Sequence, residues 1–315
     1  YRVLMGKAQT GTGGTAGTIY DVTGLAKGTG GENSSQFSLT ATTDYVYVGS
    51  SKKIDHWEFQ VGIGLTGPAN LQGQHWSGSA WNTFTIIDDT DNSNINNIKP
   101  IYDYLASKNI KTTKTVWVYP SRDTFTGQTL QNNNYYKFIK LLKGDGFDIQ
   151  LHNVGSGNFS RTEIIKGLDE FKQKLGKYPN MHINHCSNAD NLYWGHKRFG
   201  MILRKTMQII EGSKKRFYGD EINSNYFWGD IAKEKIKFIR NRVFNEINTL
   251  KYDPKMPFRE KRKIFSNYWF SSSDGHNLKQ FNNLVTKSNI DKLKRDKGLC
   301  IVYTHFASDF VDQQG

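Results

Sequence analysis

The residues best suited to chemistry fall at the ends of short apolar runs. The run FTIID (84–88) closes on Asp88 and Asp89, with Asp91 two residues further on. DIQLHN (148–153) ends in His152 and Asn153, NMHINHC (180–186) carries His182, Asn184 and His185, and VYTHF (302–306) holds His305. Four of the eight histidines therefore sit at or beside the ends of candidate strands, a clustering that chance does not favour. Asp and His are ligands for zinc and similar ions. A bound divalent ion lowers the pKa of its water toward ~7 and polarises a carbonyl, while a nearby carboxylate takes the water proton and a His protonates the leaving group. The chemistry these residues point to is metal-assisted hydrolysis. A competing reading of DDTDNSN (88–94), rich in capping residues, is a turn and helix N-cap.

Elements that place such residues together follow from the periodicity. FTIID, TTKTVWVY (112–119), FDIQLHNV (147–154) and NMHINHC read as strands. They alternate with helical patterns at NIKPIYDYLASKN (97–109), NYYKFIKLLKGDG (134–146) and TEIIKGLDEFKQKLG (162–176). Further on, IKFIRNRVF (236–244), IFSNYWF (264–270) and LCIVYTHF (299–306) read as strands, and NLKQFNNLV (277–285) and NIDKLKRDKG (289–298) as helices. This alternation predicts a parallel sheet with helices outside, closed into a distorted parallel (β/α) barrel over 83–315. In such a barrel the functional residues gather at the C-terminal ends of the strands. The chain stops at QQG (313–315), soon after the last strand, which predicts a barrel short of its final helix.

Residues 1–82 have another character and predict a small all-β module. Gly and Thr dominate GTGGTAGT (11–18) and GLAKGTGG (24–31). Alternating runs follow at QFSLTAT (36–42), DYVYVGS (44–50) and HWEFQVG (56–62), and QHWSGSAW (74–81) reads as a hairpin with Trp76 and Trp81 flanking its turn. No residue cluster there suggests chemistry.

Composition bounds the remaining classes. Hydrophobic residues make up 37% of the 315 and aromatics 13%, enough to bury a core and to exclude a disordered chain. No apolar run approaches the roughly 18–20 residues of a membrane helix. There is no signal peptide and residue 1 is Tyr, which reads as a processed chain or a fragment. Cys186 and Cys300 are too few for a disulfide scaffold and read as reduced, buried thiols. The net charge is +13, and residues 201–300 hold 22 Lys and Arg against 11 Asp and Glu. That surface favours polyanions such as an acidic polysaccharide. A solvated basic face without a partner is the alternative. No zinc-finger, RNA-recognition or recognition-helix pattern supports nucleic acid.

TIIDDTD (85–91), DIQLHN and VYTHF together resemble the motifs of the polysaccharide deacetylase family, also known as the NodB-homology domain or carbohydrate esterase family four, in the family's order and spacing. The elements YPNMHINHCSNADNLYWG (178–195) and NYWFSSS (267–273) are similar to those of a little-characterised branch. The resemblance covers about 84–310 and implies Asp88 as general base, Asp89 and His152 as ligands to a divalent ion, foremost zinc, and His305 as the group assisting the leaving group. The family's second motif has a further His four or five residues on, where this chain has Ser156 and Gly157, and its Arg-Pro third motif is replaced by HINHCSN (182–188). Either His185 or His182 supplies the third ligand, or Asn153 or Asn158 does so through oxygen, or the metal is lost; His185 is the preferred substitute. Residues 1–82 resemble small β-sandwich modules of phage virion and bacterial surface proteins.

The expected function is removal of acetyl groups from a polysaccharide or cell-surface glycan, outside the cell or on a virion, with the N-terminal module serving homo-oligomer or virion assembly. Arg161, Tyr193, Trp194 and Trp269 are the expected substrate contacts, by charge and by stacking on sugar rings. Core packing is the competing account of the aromatics. The alternative function is a non-catalytic glycan-binding or structural protein on a degenerate barrel.

Overall fold

The computed structural model describes residues 84–199 and 217–311 with their side chains, and ahead of them the backbone course of five strands. These are β1 (Arg2–Ala8), β2 (Ala16–Asp21), β3 (Tyr45–Gly49), β4 (His75–Trp76) and β5 (Trp81–Asn82). The chain falls into two compact units, Tyr1–Leu71 and Gln72–Gly315. In the first, β1 lies between β2 and β3 in an antiparallel sheet. β3 coincides with the alternating run at 44–50; β1, RVLMGKA, has no period-2 alternation to announce it, and β2 begins inside the Gly- and Thr-rich start. The runs at 36–42 and 56–62 lie outside the described residues. The hairpin expected at 74–81 is present as β4 and β5, pairing Trp76 with Trp81.

The second unit is built on seven parallel strands closed in chain order. They are β6 (Phe84–Asp88), β7 (Thr113–Val116), β8 (Asp148–His152), β9 (Met181–Ile183), β10 (Phe238–Phe244), β11 (Tyr268–Asp274) and β12 (Cys300–Thr304), with β12 pairing back to β6. Helices α1 (Ile95–Ser107), α2 (Asn133–Gly144) and α3 (Arg161–Leu175) follow β6, β7 and β8; α4 (Gly229–Lys235) precedes β10, and α5 (Leu278–Leu284) and α6 (Lys287–Arg295) precede β12. The distorted (β/α) barrel read from the sequence is therefore the fold observed. The helix ends follow their capping chemistry: Asn94 and Ser160 form capping boxes at α1 and α3, and Gly176 closes α3 in the left-handed conformation at φ 83°. The short α4 has no periodic apolar pattern to announce it.

The distortion lies at the seam between β11 and β12. These strands pair only near their C-terminal ends, at Ser273 with Val302 and Asp274 with Tyr303. The connection after β10 fills the gap: Thr249 bonds Leu299 and Ile301, and Phe258 makes an antiparallel bridge to Trp269. This also moves β11 later than the run at 264–270 suggested, because 264–267 belongs to that connection.

Strand alternation sorts every side chain into one of two layers. Ile86, Ile149, Leu151, Ile239, Trp269 and Val302 face outward into the main core beneath the helices. Ile87, Ile183 and Phe270, with Met181, Phe238 and Ile301 beside them, form a second cluster that fills the barrel lumen. Cys300 is buried with its thiol pushed up to about 12 by burial, but Cys186 is exposed, correcting the expectation of two buried thiols; neither is in a disulfide.

Candidate metal centre

The lumen-facing layer continues past the strand ends and brings Asp91, His152 and His185 together. His152 ends β8, two residues beyond the lumen-facing Gln150, and His185 lies two residues beyond the lumen-facing Ile183. Asp91 lies in the loop after β6 with the same parity as Ile87 and Asp89. Its Oδ1 is 3.5 Å from His152 Nε2 and 3.2 Å from His185 Nε2, and one donor atom from each of the three residues lies within 4.8 Å of the others. Asp91 Oδ1, both nitrogens of His152 and His185 Nε2 are buried without a hydrogen-bond partner. Buried polar groups are normally satisfied. One carboxylate oxygen and two imidazole nitrogens, converging and unsatisfied, have the donor chemistry of a divalent metal site, and these residues fit an ion such as zinc.

The protonation states suit that role. Burial drives His152 down to about 4, against the opposing pull of Asp91 and Asp89, so it is neutral at pH 7. Burial alone would raise the Asp91 carboxyl, but His152, His185 and His305 hold it well below its usual value. His185 is lowered by burial yet raised overall by Asp91. His305, immediately after β12, donates Nδ1–H to the carbonyl of His276 at 2.7 Å and meets Asp91 Oδ2 through Nε2 at 2.9 Å. Burial opposes its charge, but Asp91 prevails and lifts it to about 9.

The two aspartates expected to do the chemistry are placed otherwise. Asp88 is fully buried and shares the outward face of Ile86. Its Oδ2 accepts from Tyr102 Oη at 2.9 Å and pairs with Lys114 Nζ at 2.8 Å, and its Oδ1 accepts from the Phe306 amide at 2.9 Å. It does not reach the metal cluster, so the role of base does not fit it. Asp89 faces the mouth, but both its oxygens are gripped by Arg240 of β10, at 3.1 and 2.5 Å. Asp91 stands in the cluster where Asp89 was expected. Arg240 in turn lies over the ring of Tyr303 at 4.7 Å.

Of the residues weighed as third ligand, His185 is the one that stands in the cluster with Asp91 and His152. His182 faces outward, edge-on to Trp228 with centroids 5.0 Å apart and bonded to Asn184 at 3.1 Å; burial takes it down to about 3. Asn153 Oδ1 accepts from the His185 amide, and Asn158 Oδ1 from that of Ala189. Ser156, at the position of the missing His, donates to Asp123 at 2.6 Å; Asp123 also accepts from Ser187 at 3.1 Å. That carboxylate ties the loops after β7, β8 and β9 together. Phe125 and Trp117 pack against the His185 ring, with centroids 4.6 and 5.8 Å away.

The expected substrate contacts are engaged elsewhere. Arg161 makes a two-pronged pair with Asp230 at 2.6 and 2.7 Å. Trp269 is fully buried in the core beside Tyr193, whose hydroxyl accepts from the Phe265 amide at 3.1 Å. Trp194 is half-buried under the guanidinium of Arg198. Core packing is the better account of Tyr193 and Trp269.

The fold and site define a parallel (β/α) barrel with a carboxylate–histidine–histidine cluster at its C-terminal mouth. No family model and no curated protein matches this chain. Among solved structures, IcaB from Ammonifex degensii aligns over 40% of this chain and 55% of its own, about half its length, at 14% identity with a TM-score of 0.25. A likeness that slight adds nothing to the fold, which rests on the closed sheet. Among the described residues, no helix is long and apolar enough to cross a membrane.

Proposed function

We propose that the barrel is a metal-dependent hydrolase that removes acetyl groups from a polysaccharide or cell-surface glycan. The observation that carries this is the set of unpartnered donor atoms of Asp91, His152 and His185 converging at the mouth. A divalent ion there supplies a Lewis acid for the acyl carbonyl and an activated water. Asp89 is the mouth carboxylate left outside the cluster, 3.9 Å from His152 and held in place by Arg240. It takes up the proton released as water adds to the acyl carbon. His305 enters as the protonated partner of Asp91 and gives its proton to the departing nitrogen or oxygen as the acyl bond breaks. The motif resemblance over 84–310 supports an acetylated glycan as substrate, acted on outside the cell or on a virion, with the N-terminal sheet as an assembly element.

The test is acetate release from N-acetylated and O-acetylated oligosaccharides by the zinc-supplemented protein. Release that disappears in Asp91→Asn and Asp89→Asn is the expected result. No release from any substrate, or full activity in Asp91→Asn, would sink the proposal.

A further inference from the structure

His185 is held on every side but one, and the groups that hold it decide which nitrogen it offers. Its amide N–H donates to Asn153 Oδ1 at 2.6 Å, and its carbonyl accepts from the Asn191 side chain. Asn153 is itself oriented by donating Nδ2–H to the buried Asp190 at 2.7 Å. The ring Nδ1 meets Asn188 Oδ1 at 3.2 Å and, more distantly, Ser187 Oγ at 3.4 Å, whose own hydrogen goes to Asp123. Only Nε2 is left, buried and facing Asp91 Oδ1 at 3.2 Å.

Which way the Asn188 amide points follows from backbone groups that have no choice of role. Gly157 N–H donates to its Oδ1 at 2.9 Å, and the Gly155 carbonyl accepts from its Nδ2 at 2.8 Å. A backbone N–H only donates and a carbonyl only accepts, so the amide cannot turn over. Oδ1 therefore faces His185, and Nδ1 must carry the hydrogen. In the neutral ring the lone pair is then on Nε2, on the side of the donor atoms of Asp91 and His152, where an ion would be held. The turn that dictates this is the one around Ser156, where the resembled family places its further His. Gly157 has φ 97°, and a side chain there would meet Arg122 at 2.8 Å, so the turn is built for glycine.

We infer that Asn188 is a positioning residue that fixes the Nδ1–H tautomer of His185, making His185 the third metal ligand in place of the His absent at Ser156. The inference rests on the metal-site reading above. Partners of this kind typically change metal affinity about 10–100-fold when lost. The experiment is zinc titration of the metal-free full chain by calorimetry, for the native protein, Asn188→Leu and Asn188→Asp. Long-range 1H–15N spectra of the zinc-loaded native protein report where the His185 ring proton sits. Asn188→Leu, which cannot accept the Nδ1 hydrogen, is expected to weaken zinc binding about 10–100-fold. Asn188→Asp, which can, is expected to bind within about threefold of native. The spectra are expected to show the proton on Nδ1. Equal affinity in Asn188→Leu, or a proton on Nε2, overturns the inference and leaves the hydrolase reading standing. If the native protein binds no zinc, the hydrolase reading itself fails. Should Asn188→Leu not fold, the native spectra and Asn188→Asp still decide.

Discussion

Three aspartates within four positions have three different fates, and the residue scale shows why. Asp88 neutralises Lys114, whose ammonium is fully buried and kept charged, against burial, by Asp88. Removing one member of such a pair leaves an uncompensated charge and costs about 3–5 kcal/mol. Asp91 is surrounded by histidines and carries the converging oxygen of the cluster. Asp88→Asn is therefore expected to lower unfolding free energy by about 3–5 kcal/mol while zinc affinity, measured on the folded fraction, stays near native. Asp91→Asn, also measured on the folded fraction, is expected to abolish zinc binding. Urea unfolding and zinc titration of both variants check this; zinc loss in Asp88→Asn with retention in Asp91→Asn would reverse the assignment. The sequence showed an acidic cluster at a strand end, and resemblance to a paired motif favoured Asp88 and Asp89. It did not show Arg240, 151 positions away from Asp89, which occupies the second of them.

At the scale of the element, alternation does most of the sorting. Counting in twos from the apolar lumen residues gives Asp89 and Asp91 from Ile87, His185 from Ile183, and His305 from Ile301, with His152 on the lumen side of β8. The same count sends Asp88 and His182 outward, beside Ile86 and Ile239. The barrel strands were legible in the sequence to within a few residues, because each one's apolar run is bounded by polar turns. The facing of each strand was not, since both faces are buried and an apolar run looks alike from either side. The outward His182 gives a test. Its folded pKa is about 3 and its ordinary value 6.5, so the unfolded chain takes up a proton first as pH falls. The stability it contributes is present above pH 6.5 and is lost as pH falls toward 3, at about 1.4 kcal/mol per pH unit. His182→Leu, which removes the proton uptake while Asn184 keeps its bonds to Leu192, is expected to flatten the slope by about that amount. Urea unfolding at a series of pH values between those limits measures it, and an unchanged slope would mean His182 is not the group responsible.

For the molecule as a whole, an ion in the proposed site would also act as a clamp. The three residues come from the loop after β6, the end of β8 and the loop after β9, so an ion held there would join three separate strands of the sheet at their C-terminal ends. Any ligand that binds only the folded state stabilises it by mass action, by about 2.7 kcal/mol at a hundredfold excess over Kd. In a domain the size of the Gln72–Gly315 unit, 1 kcal/mol moves the midpoint by roughly 2–4 °C. Zinc at that excess is thus expected to raise the melting midpoint of the barrel transition by about 5–10 °C, and a chelator to reverse it. In the mouth Asp89 and Asp91 stand against Arg240 and a protonated His305. The protons on His185 and His305 oppose entry, because zinc needs the imidazole of His185 neutral and draws on the carboxylate that His305 holds. The zinc-induced shift is accordingly expected to grow from pH 6 to pH 8 and to be absent in Asp91→Asn at any pH. Scanning calorimetry with and without zinc across that range is the measurement. A shift of equal size in Asp91→Asn would place the bound ion elsewhere on the protein.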